Sequence, residues 1–318
     1  MLRVRVFGQL LESDVELPGL PVAESSGDGQ LSFWTLRSEP SVSDTPQVHT
    51  IDAQPLGQLA YSNGAVVTAA TGAAGTEILV SDTGRFTIAH NGRSLTHTGP
   101  RGVDLSAVAL DLIGVVLPHA LHHAGAWCLH ASAVQTPSGV IAFVAPRGTG
   151  KSTIATACLQ AGCALVADDV VVLWPSPQGA SVTPTGLPIR LASETAKSVG
   201  AAGSTADEWG KVRVGGQSAT AEAPLAAVYL LAPVAADADV QRAPREPRAA
   251  ALALLANGKI TELLGAAAID DVLRRCVALA QVTPVYDLAV PRDLARLPDV
   301  TAALLAWHST DYRTTHRS

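Results

Sequence analysis

Gly148, Gly150, Lys151 and Ser152 stand in the run Ala145-Pro146-Arg147-Gly148-Thr149-Gly150-Lys151-Ser152, and Asp168 and Asp169 stand side by side further along the chain. Residues of those types in that order can hold a polyphosphate and a divalent cation. Glycines at 148 and 150 can take backbone angles that turn successive N–H groups toward an anion. A helix starting near Lys151 adds its positive N-terminal end. Lys151 supplies a point charge for β- and γ-phosphates, and the Ser152 hydroxyl supplies a magnesium ligand. Arg147, Thr149 and Thr153 complete the stretch expected to line the nucleotide. The run fits the phosphate-loop pattern at every position but the first, where Ala145 replaces Gly.

Elements of the right kind flank the loop. Val140-Ile141-Ala142-Phe143-Val144 is a short apolar run bounded by Gly139 and Pro146, which suits a buried strand, and Thr153 to Gln160 reads as a helix ending near Gly162. Ala164-Leu165-Val166-Ala167 reads as a second strand that delivers Asp168 and Asp169 together. Two adjacent carboxylates repel and raise one pKa unless a cation or a shared proton compensates, which a magnesium site with a neighbouring general base provides. An exposed Asp-rich turn is the plain alternative, and the preceding loop is what argues against it. Trp127 to Val134 reads as a strand antiparallel to Val140–Val144 through the turn Thr136-Pro137-Ser138-Gly139, which places His130 beside the loop strand. Taken alone, a strand histidine is usually a satisfied core residue.

The order Leu129-His130-Ala131, then Ala145 to Ser152, then Leu165-Val166-Ala167-Asp168-Asp169 resembles the catalytic core of the HPr kinase/phosphorylase superfamily, whose fold is related to phosphoenolpyruvate carboxykinase. The resemblance covers Trp127 to Leu191 and is weaker beyond. Arg5-Val6-Phe7-Gly8 with Leu11 to Pro18 further resembles the HPr-kinase-like branch that serves peptide maturation, lasso-peptide kinases included. It implies ATP and Mg2+ as cofactors, Lys151 on phosphate, Ser152 and Asp169 on magnesium, Asp168 as base, and His130 tuning Asp168. It also leaves room for a homo-oligomer, since relatives of this core assemble. The segment Leu187-Pro188-Ile189-Arg190 resembles a family signature but carries Pro188 where bifunctional members have a glutamate ligand, so a second metal and phosphorylase activity are not implied.

Three further cations are candidates for phosphate or acceptor. Arg190 closes a short strand after Pro184-Thr185-Gly186, and Lys211 and Arg213 alternate to one face of the strand expected over Trp209 to Val214. The small-residue stretch Ser198 to Asp207 before them suits a loop that orders over substrate, or an ordinary linker.

The remainder is organised around that core. A chain of 318 residues with 47% apolar content can bury one large or two modest cores. Net charge −6 with scattered basic residues offers nothing to nucleic acid or anionic membrane. Cys128, Cys158, Cys163 and Cys276 lack metal-ligand spacing and read as buried free thiols of a reducing compartment. No segment approaches an uninterrupted apolar run of about 18 residues and no signal core is visible, so a cytoplasmic protein is expected. Residues 1–102 read as an all-β domain of short strands over Leu2–Phe7, Leu31–Arg37, Val48–Asp52, Gln58–Ser62, Ala65–Ala69, Glu77–Ser81, Phe86–His90 and Ser94–Thr98, a scaffold or docking module. Its His49, His90 and His97 are isolated. Residues 103–126 read as a connecting helix N-capped by Asp104 and kinked or ended by Pro118, with His119, His122 and His123 more a polar helix end than a metal site.

Residues 127–318 read as the nucleotide-binding catalytic domain. Within it, Pro224–Leu231 is an apolar strand, Ala249–Ala256 and Asp270–Ala280 are helices, Val285–Leu288 is an edge strand, Arg292–Trp307 is a terminal helix, and Asp311–Ser318 is a frayed tail. The expected fold is α+β or α/β: an N-terminal β domain, then a phosphate-loop domain with a mixed sheet and flanking helices. The expected activity is an ATP- and Mg-dependent serine kinase acting on a protein or peptide, such as a ribosomally made biosynthetic peptide. A small-molecule phosphotransferase or carboxykinase-like enzyme, and a nucleotide-binding regulator without turnover, are the alternatives.

Overall fold

The computed structural model describes residues 1–23, 33–41, 49–50, 52–61, 64–201, 206–207 and 210–309. The chain forms two compact units: Met1–Cys128 with Lys259–Val272, and Leu129–Gly258 with Leu273–Ser318. The stretch expected to be a separate connecting helix therefore belongs to the first unit, and so does a segment from within the region assigned to the catalytic domain.

The first unit is built on one eight-stranded sheet. Its strands are β1 (Leu2–Val6), β2 (Gln9–Ser13), β3 (Trp34–Pro40), β4 (Gln54–Ala60), β5 (Val66–Gly72), β6 (Gly75–Val80), β7 (Gly84–Ala89) and β8 (Ser94–Gly99), in the order β1-β2-β3-β8-β7-β6-β5-β4. Glycines at positive φ, Gly8, Gly75, Gly84 and Gly92, stand at the turns between successive strands. β2 was not expected as a strand; Phe7 and Gly8, at φ 52 and 71, make the tight turn that folds it back on β1. The expected strand Val48–Asp52 is not formed at its described residues, His49, Thr50 and Asp52, and the next strand starts only at Gln54; the tail Asp311–Ser318 lies outside the described residues.

Asp104 caps the helical segment as its type suggests, its carboxylate accepting the Ser106 N–H at 2.8 Å. Pro118 does not break it. Helix α1 (Leu105–Asp111) widens into a π turn over Leu112–Val116 before α2 (Leu117–His123). A wide turn removes the i→i−4 bond that proline cannot donate, so the helix runs through. This is the one described helix long and apolar enough to cross a membrane by length and composition, and 56% of its apolar window is buried. The histidines have local partners: His119 Nδ1 bonds Val115 O at 2.9 Å, and His123 Nε2 pairs with Thr76 Oγ1 at 3.1 Å. His49 pairs with Thr68 Oγ1, His90 with Ala73 O, and His97 with Ser38 Oγ and Thr83 O.

The second unit holds a mixed sheet with helices beside it. β9 (Trp127–Leu129) and β10 (Ala131–Thr136) are followed by β11 (Gly139–Val144), α3 (Lys151–Gln160) and β12 (Ala164–Ala167). Next come the hairpin β13 (Val171–Ser176) and β14 (Gly179–Thr183), β15 (Ile189–Ala192), α4 (Ser193–Ser198) and β16 (Lys211–Val214). β17 (Ala223–Val234), β18 (Arg242–Pro244), α5 (Pro247–Ala256), α6 (Ala266–Val282), β19 (Val285–Pro291) and α7 (Leu297–Trp307) complete the chain, the division between the units falling within β9 after Cys128 and within α6 after Val272. The central order is β12-β10-β11-β17-β14-β13, and β17 runs parallel to both β11 and β19. Two expectations are corrected. The strand expected over Trp127–Val134 is broken at His130, and the expected edge strand β19 is interior, paired with β17 on one side and β18 on the other.

A buried network fastens α7 to the sheet. Tyr229 on β17, wholly buried, stacks on Tyr286 and Trp307 at centroid distances of 5.5 and 6.3 Å. Arg242 lies 4.6 Å over the rings of both Tyr286 and Trp307 and donates to the Tyr229 hydroxyl at 3.0 Å. That hydroxyl also meets His308 Nε2 at 2.7 Å, and His308 Nδ1 meets Ser138 Oγ in the β10–β11 turn at 2.8 Å. Replacing Tyr229 with Phe keeps the ring stack and strips both polar partners of their acceptor or donor. Tyr229→Phe should therefore lower unfolding stability by about 1–3 kcal/mol, read by chemical denaturation. A change below about 0.5 kcal/mol, the scale of an ordinary surface substitution, would show that the network is ornamental.

Candidate functional site

β11 is buried from Val140 to Val144, and its chain emerges at Pro146, Arg147 and Gly148, all exposed. Gly148 and Gly150 sit at φ 82 and 101, in left-handed backbone that other residues enter only with strain, and a Cβ at either would meet nothing within 4 Å. The loop therefore needs glycine for its backbone angles and has open space before it. Gly150 is the N-cap of α3, whose first i→i−4 bond runs from Ile154 N to Gly150 O at 2.9 Å. The N–H groups of Lys151, Ser152 and Thr153 precede that bond, at the positive end of the helix. Lys151 is 7% exposed and its ammonium donates to Ala145 O at 2.7 Å and Pro146 O at 3.4 Å, which folds the side chain along the inside of the loop.

Asp168 closes β12 and ties three elements together. Its Oδ1 accepts from Ser132 Oγ of β10 at 2.6 Å and from Ser152 Oγ of α3 at 2.8 Å, while Oδ2 faces the Arg190 N–H of β15 at 3.4 Å. The expected site did not include Ser132. Its signal lay in a pairing not foreseen: β10 runs antiparallel to β12 with Ala133 opposite Ala167, so one step further brings Ser132 to Asp168. Burial pushes the Asp168 carboxyl above its ordinary range, the two serine hydroxyls pull it back, and the Asp169 charge raises it again.

Asp169 is turned the other way. It is a non-glycine residue at φ 70, exposed where Asp168 is half-buried, and its Oδ1 stands 3.5 Å from His130 Nδ1. The resemblance pairs His130 with Asp168; the contact formed is with Asp169. The left-handed turn is the reason, since it aims the second carboxylate out of the pleat that carries the first inward. His130 is free of strand pairing because the break between β9 and β10 falls on it, where its N–H donates to Asn257 O at 2.9 Å.

The cations expected nearby lie on one small hairpin. β15 and β16 pair antiparallel with Arg190 opposite Arg213 and Ala192 opposite Lys211, which puts Arg190, Arg213 and Lys211 on one face while Val212 and Val214 are buried on the other. Asp207 takes the Arg190 guanidinium on one oxygen and the Lys211 N–H on the other, the latter at 2.9 Å. Of the expected substrate-covering stretch Ser198–Asp207, residues 202–205 lie outside the described residues.

The oxygen donors suit a hard divalent cation. Ser152 and Asp168 present a hydroxyl and a carboxylate within hydrogen-bond distance of each other, the donor pair a magnesium ion takes alongside substrate phosphates and water. Among the described residues no three His, Cys, Asp or Glu side chains converge on one metal position. Such a pair would supply only part of a coordination shell, which phosphate oxygens and water would have to complete.

No family profile matches the chain, and no curated protein matches it. Among solved structures, the HPr(Ser) kinase/phosphatase from Coxiella burnetii aligns with 60% of this chain and 99% of its own, at 11% identity and a TM-score of 0.32.

The Asp168 environment makes a testable claim about pH. A carboxyl whose folded pKa is raised favours its protonated form, so stability falls as pH rises from the ordinary value of 3.8 through the raised one. Asp168→Asn keeps an oxygen for both serines and removes the titration. In chelator-treated buffer the variant should be more stable than the parent at pH 7, and the gap should close as pH falls below 3.8, by denaturation at both pH values. A variant less stable than the parent by the same amount at both would mean that burial does not govern this group.

Proposed function

We propose that this protein is an ATP- and magnesium-dependent kinase that phosphorylates a serine hydroxyl of a protein or peptide. The observation that carries the reading is the division between two adjacent carboxylates: Asp168 bonded to the Ser152 hydroxyl of the loop helix, Asp169 exposed beside His130. In our reading the first serves the cation and the second takes the proton. The sequence resemblance over Trp127–Leu191 points to the same chemistry, and the small resemblance at Arg5–Gly8 and Leu11–Pro18 is why the acceptor we propose is a ribosomally made biosynthetic peptide of the lasso-peptide kind.

In this reading the loop N–H groups and the Lys151 ammonium bind the β- and γ-phosphates. Ser152 and Asp168 hold the magnesium, which when bound offsets the charge of the transferring phosphoryl group. Asp169 Oδ1 accepts the acceptor's hydroxyl proton, and His130 Nδ1 holds that carboxylate in position. This exchanges the aspartate roles that the resemblance implies, because His130 meets Asp169 and Ser152 meets Asp168. Arg190, Lys211 and Arg213 present positive charge to the incoming phosphate or to an acidic acceptor. Four free thiols suit a cytoplasmic setting.

The test is transfer from γ-labelled ATP with magnesium to serine-containing peptides. Label on peptide serine supports the reading; label on a metabolite, or tight nucleotide binding with no transfer, overturns it in favour of a small-molecule phosphotransferase or a regulator. Asp169→Asn should cut turnover on the order of 10²–10⁴ while nucleotide affinity holds, the usual worth of a general base. Asp168→Asn and Ser152→Ala should instead weaken magnesium-dependent nucleotide binding, and Lys151→Ala should weaken binding with or without metal. Full nucleotide affinity in Asp168→Asn together with lost transfer would return the base role to Asp168.

A further inference from the structure

Helix α3 begins at the loop and ends in a Schellman turn that brings two cysteines together. Gly162, at φ 96, donates its N–H to Leu159 O at 3.0 Å, and Cys163 donates its N–H to Cys158 O at 3.0 Å, the crossed pair of bonds that defines the motif. The motif stacks the residue after its glycine on the residue in the helix's last turn, and here both are cysteine. Standard bond lengths along the path Cα–C=O···N–Cα cap the Cα separation at about 7 Å if the path were straight; the bent path of the turn brings it into the roughly 4.4–6.8 Å a disulfide spans.

Both side chains pack into one buried cluster. Each thiol shifts the other's titration, pulling the Cys163 pKa down and pushing that of Cys158 up. Cys158 is fully buried, whereas Cys163, at 6% exposure, lines an open cleft of ≈ 340 Å³ with Ala161, Gly162, Ala164 and Gln217. The other two thiols offer a contrast: burial pushes both Cys128 and Cys276 up to about 12. Reactivity follows thiolate character and access, and both are concentrated at Cys163.

We propose that Cys158 and Cys163 are a dithiol modification site, closed by a peroxide to a reversible disulfide with Cys163 as the attacking sulfur and Cys158 as the resolving one. The Cys163 thiolate attacks one peroxide oxygen and breaks the O–O bond, giving Cys163 sulfenic acid and hydroxide that takes up the released proton as water. Cys158 sulfur then attacks the sulfenyl sulfur, forms the S–S bond and expels a second water. Two thiols and one peroxide thus give one disulfide and two waters, with two electrons passing from sulfur to oxygen. A ring closed across one short turn gains little loop entropy, which suits a bond that thiols reopen. The cross-link joins the end of α3 to the residue before β12, the segment that spaces Ser152 from Asp168.

The experiment is brief exposure of the folded protein to hydrogen peroxide, followed by alkylation, intact mass and a non-reducing peptide map. The parent protein, and a Cys128→Ala/Cys276→Ala variant that keeps only this pair, should each lose two hydrogens and yield a peptide bridged between Cys158 and Cys163 that dithiothreitol releases. Cys158→Ser should trap the sulfenic acid on Cys163 for dimedone, and Cys163→Ser should leave Cys158 alkylatable once unfolded. Over-oxidation of Cys163 in the parent with Cys158 still free would overturn the proposal, as would a parent with all four thiols unchanged while free glutathione in the same tube is oxidised.

Discussion

The hydrogen bond from Ser152 to Asp168 is the constraint on which the rest of the second unit depends. It joins the first turn of α3 to the end of β12 at 2.8 Å, so the loop between β11 and α3 and the carboxylate pair after β12 cannot move independently. The same carboxylate oxygen takes Ser132 from β10, and its partner oxygen faces the amide that begins the Arg190 strand. Four elements distant in sequence therefore converge on one half-buried acid. Satisfying that acid with two hydroxyls makes its burial tolerable, and both hydroxyls are short enough to need their backbones held in register. Positioning this carboxylate and fixing the sheet are here one task.

Adjacent aspartates would be chemically alike in an extended strand exposed to water. The backbone makes them different. Asp168 continues the pleat of β12 inward, where burial favours its neutral form until a cation compensates; Asp169 turns into left-handed backbone and stays in solvent beside His130. Their mutual repulsion raises the Asp168 carboxyl further. Holding a non-glycine residue at φ 70 costs about 1–3 kcal/mol, and such a cost persists only where surrounding structure over-determines it. The contacts of Asp168 on one side and His130 on the other supply that surround.

The loop and the strands around it were legible because their signals are local. Gly148 and Gly150 need only their own backbone angles, the apolar run Val140–Val144 needs only its bounding Gly and Pro, and the caps at Asp104 and Gly162 act within a turn. What escaped was set by pairing between distant strands. Nothing local in Trp127–Val134 marks a break at His130; the break exists because Leu129 bridges Gly258 and the His130 N–H is taken by Asn257. Ser132 was passed over because its meaning comes from the register of β10 on β12. The hairpin β13–β14 went unread, and β19 looked like an edge because the short β18 that covers it lies in a polar stretch. Pro118 misled for a different reason: the proline rule is local, but a π turn can satisfy it without ending the helix.

Charge around the site follows the same logic of local pairing with a shared purpose. Arg190, Lys211 and Arg213 project from one face of the β15–β16 hairpin, and Asp207 is the carboxylate bonded to two of the three residues, gripping the Arg190 guanidinium and the Lys211 backbone. Gripping a backbone N–H leaves the Lys211 ammonium's charge uncompensated by that bond, and the planar guanidinium of Arg190 is fixed in direction by a single carboxylate oxygen. The hairpin is anchored to the site by the approach of the Arg190 amide to Asp168, so this face is held next to the carboxylate that prefers a cation. In a chain whose net charge is −6, three cations gathered among Asp168, Asp169 and Asp207 make a region of both signs. In the function proposed above, a triphosphate with its metal would meet both signs at once, the metal at the acids and the phosphate oxygens at the hairpin, whereas a simple anion would meet the repulsion of Asp168 and Asp169 and a simple cation that of the hairpin.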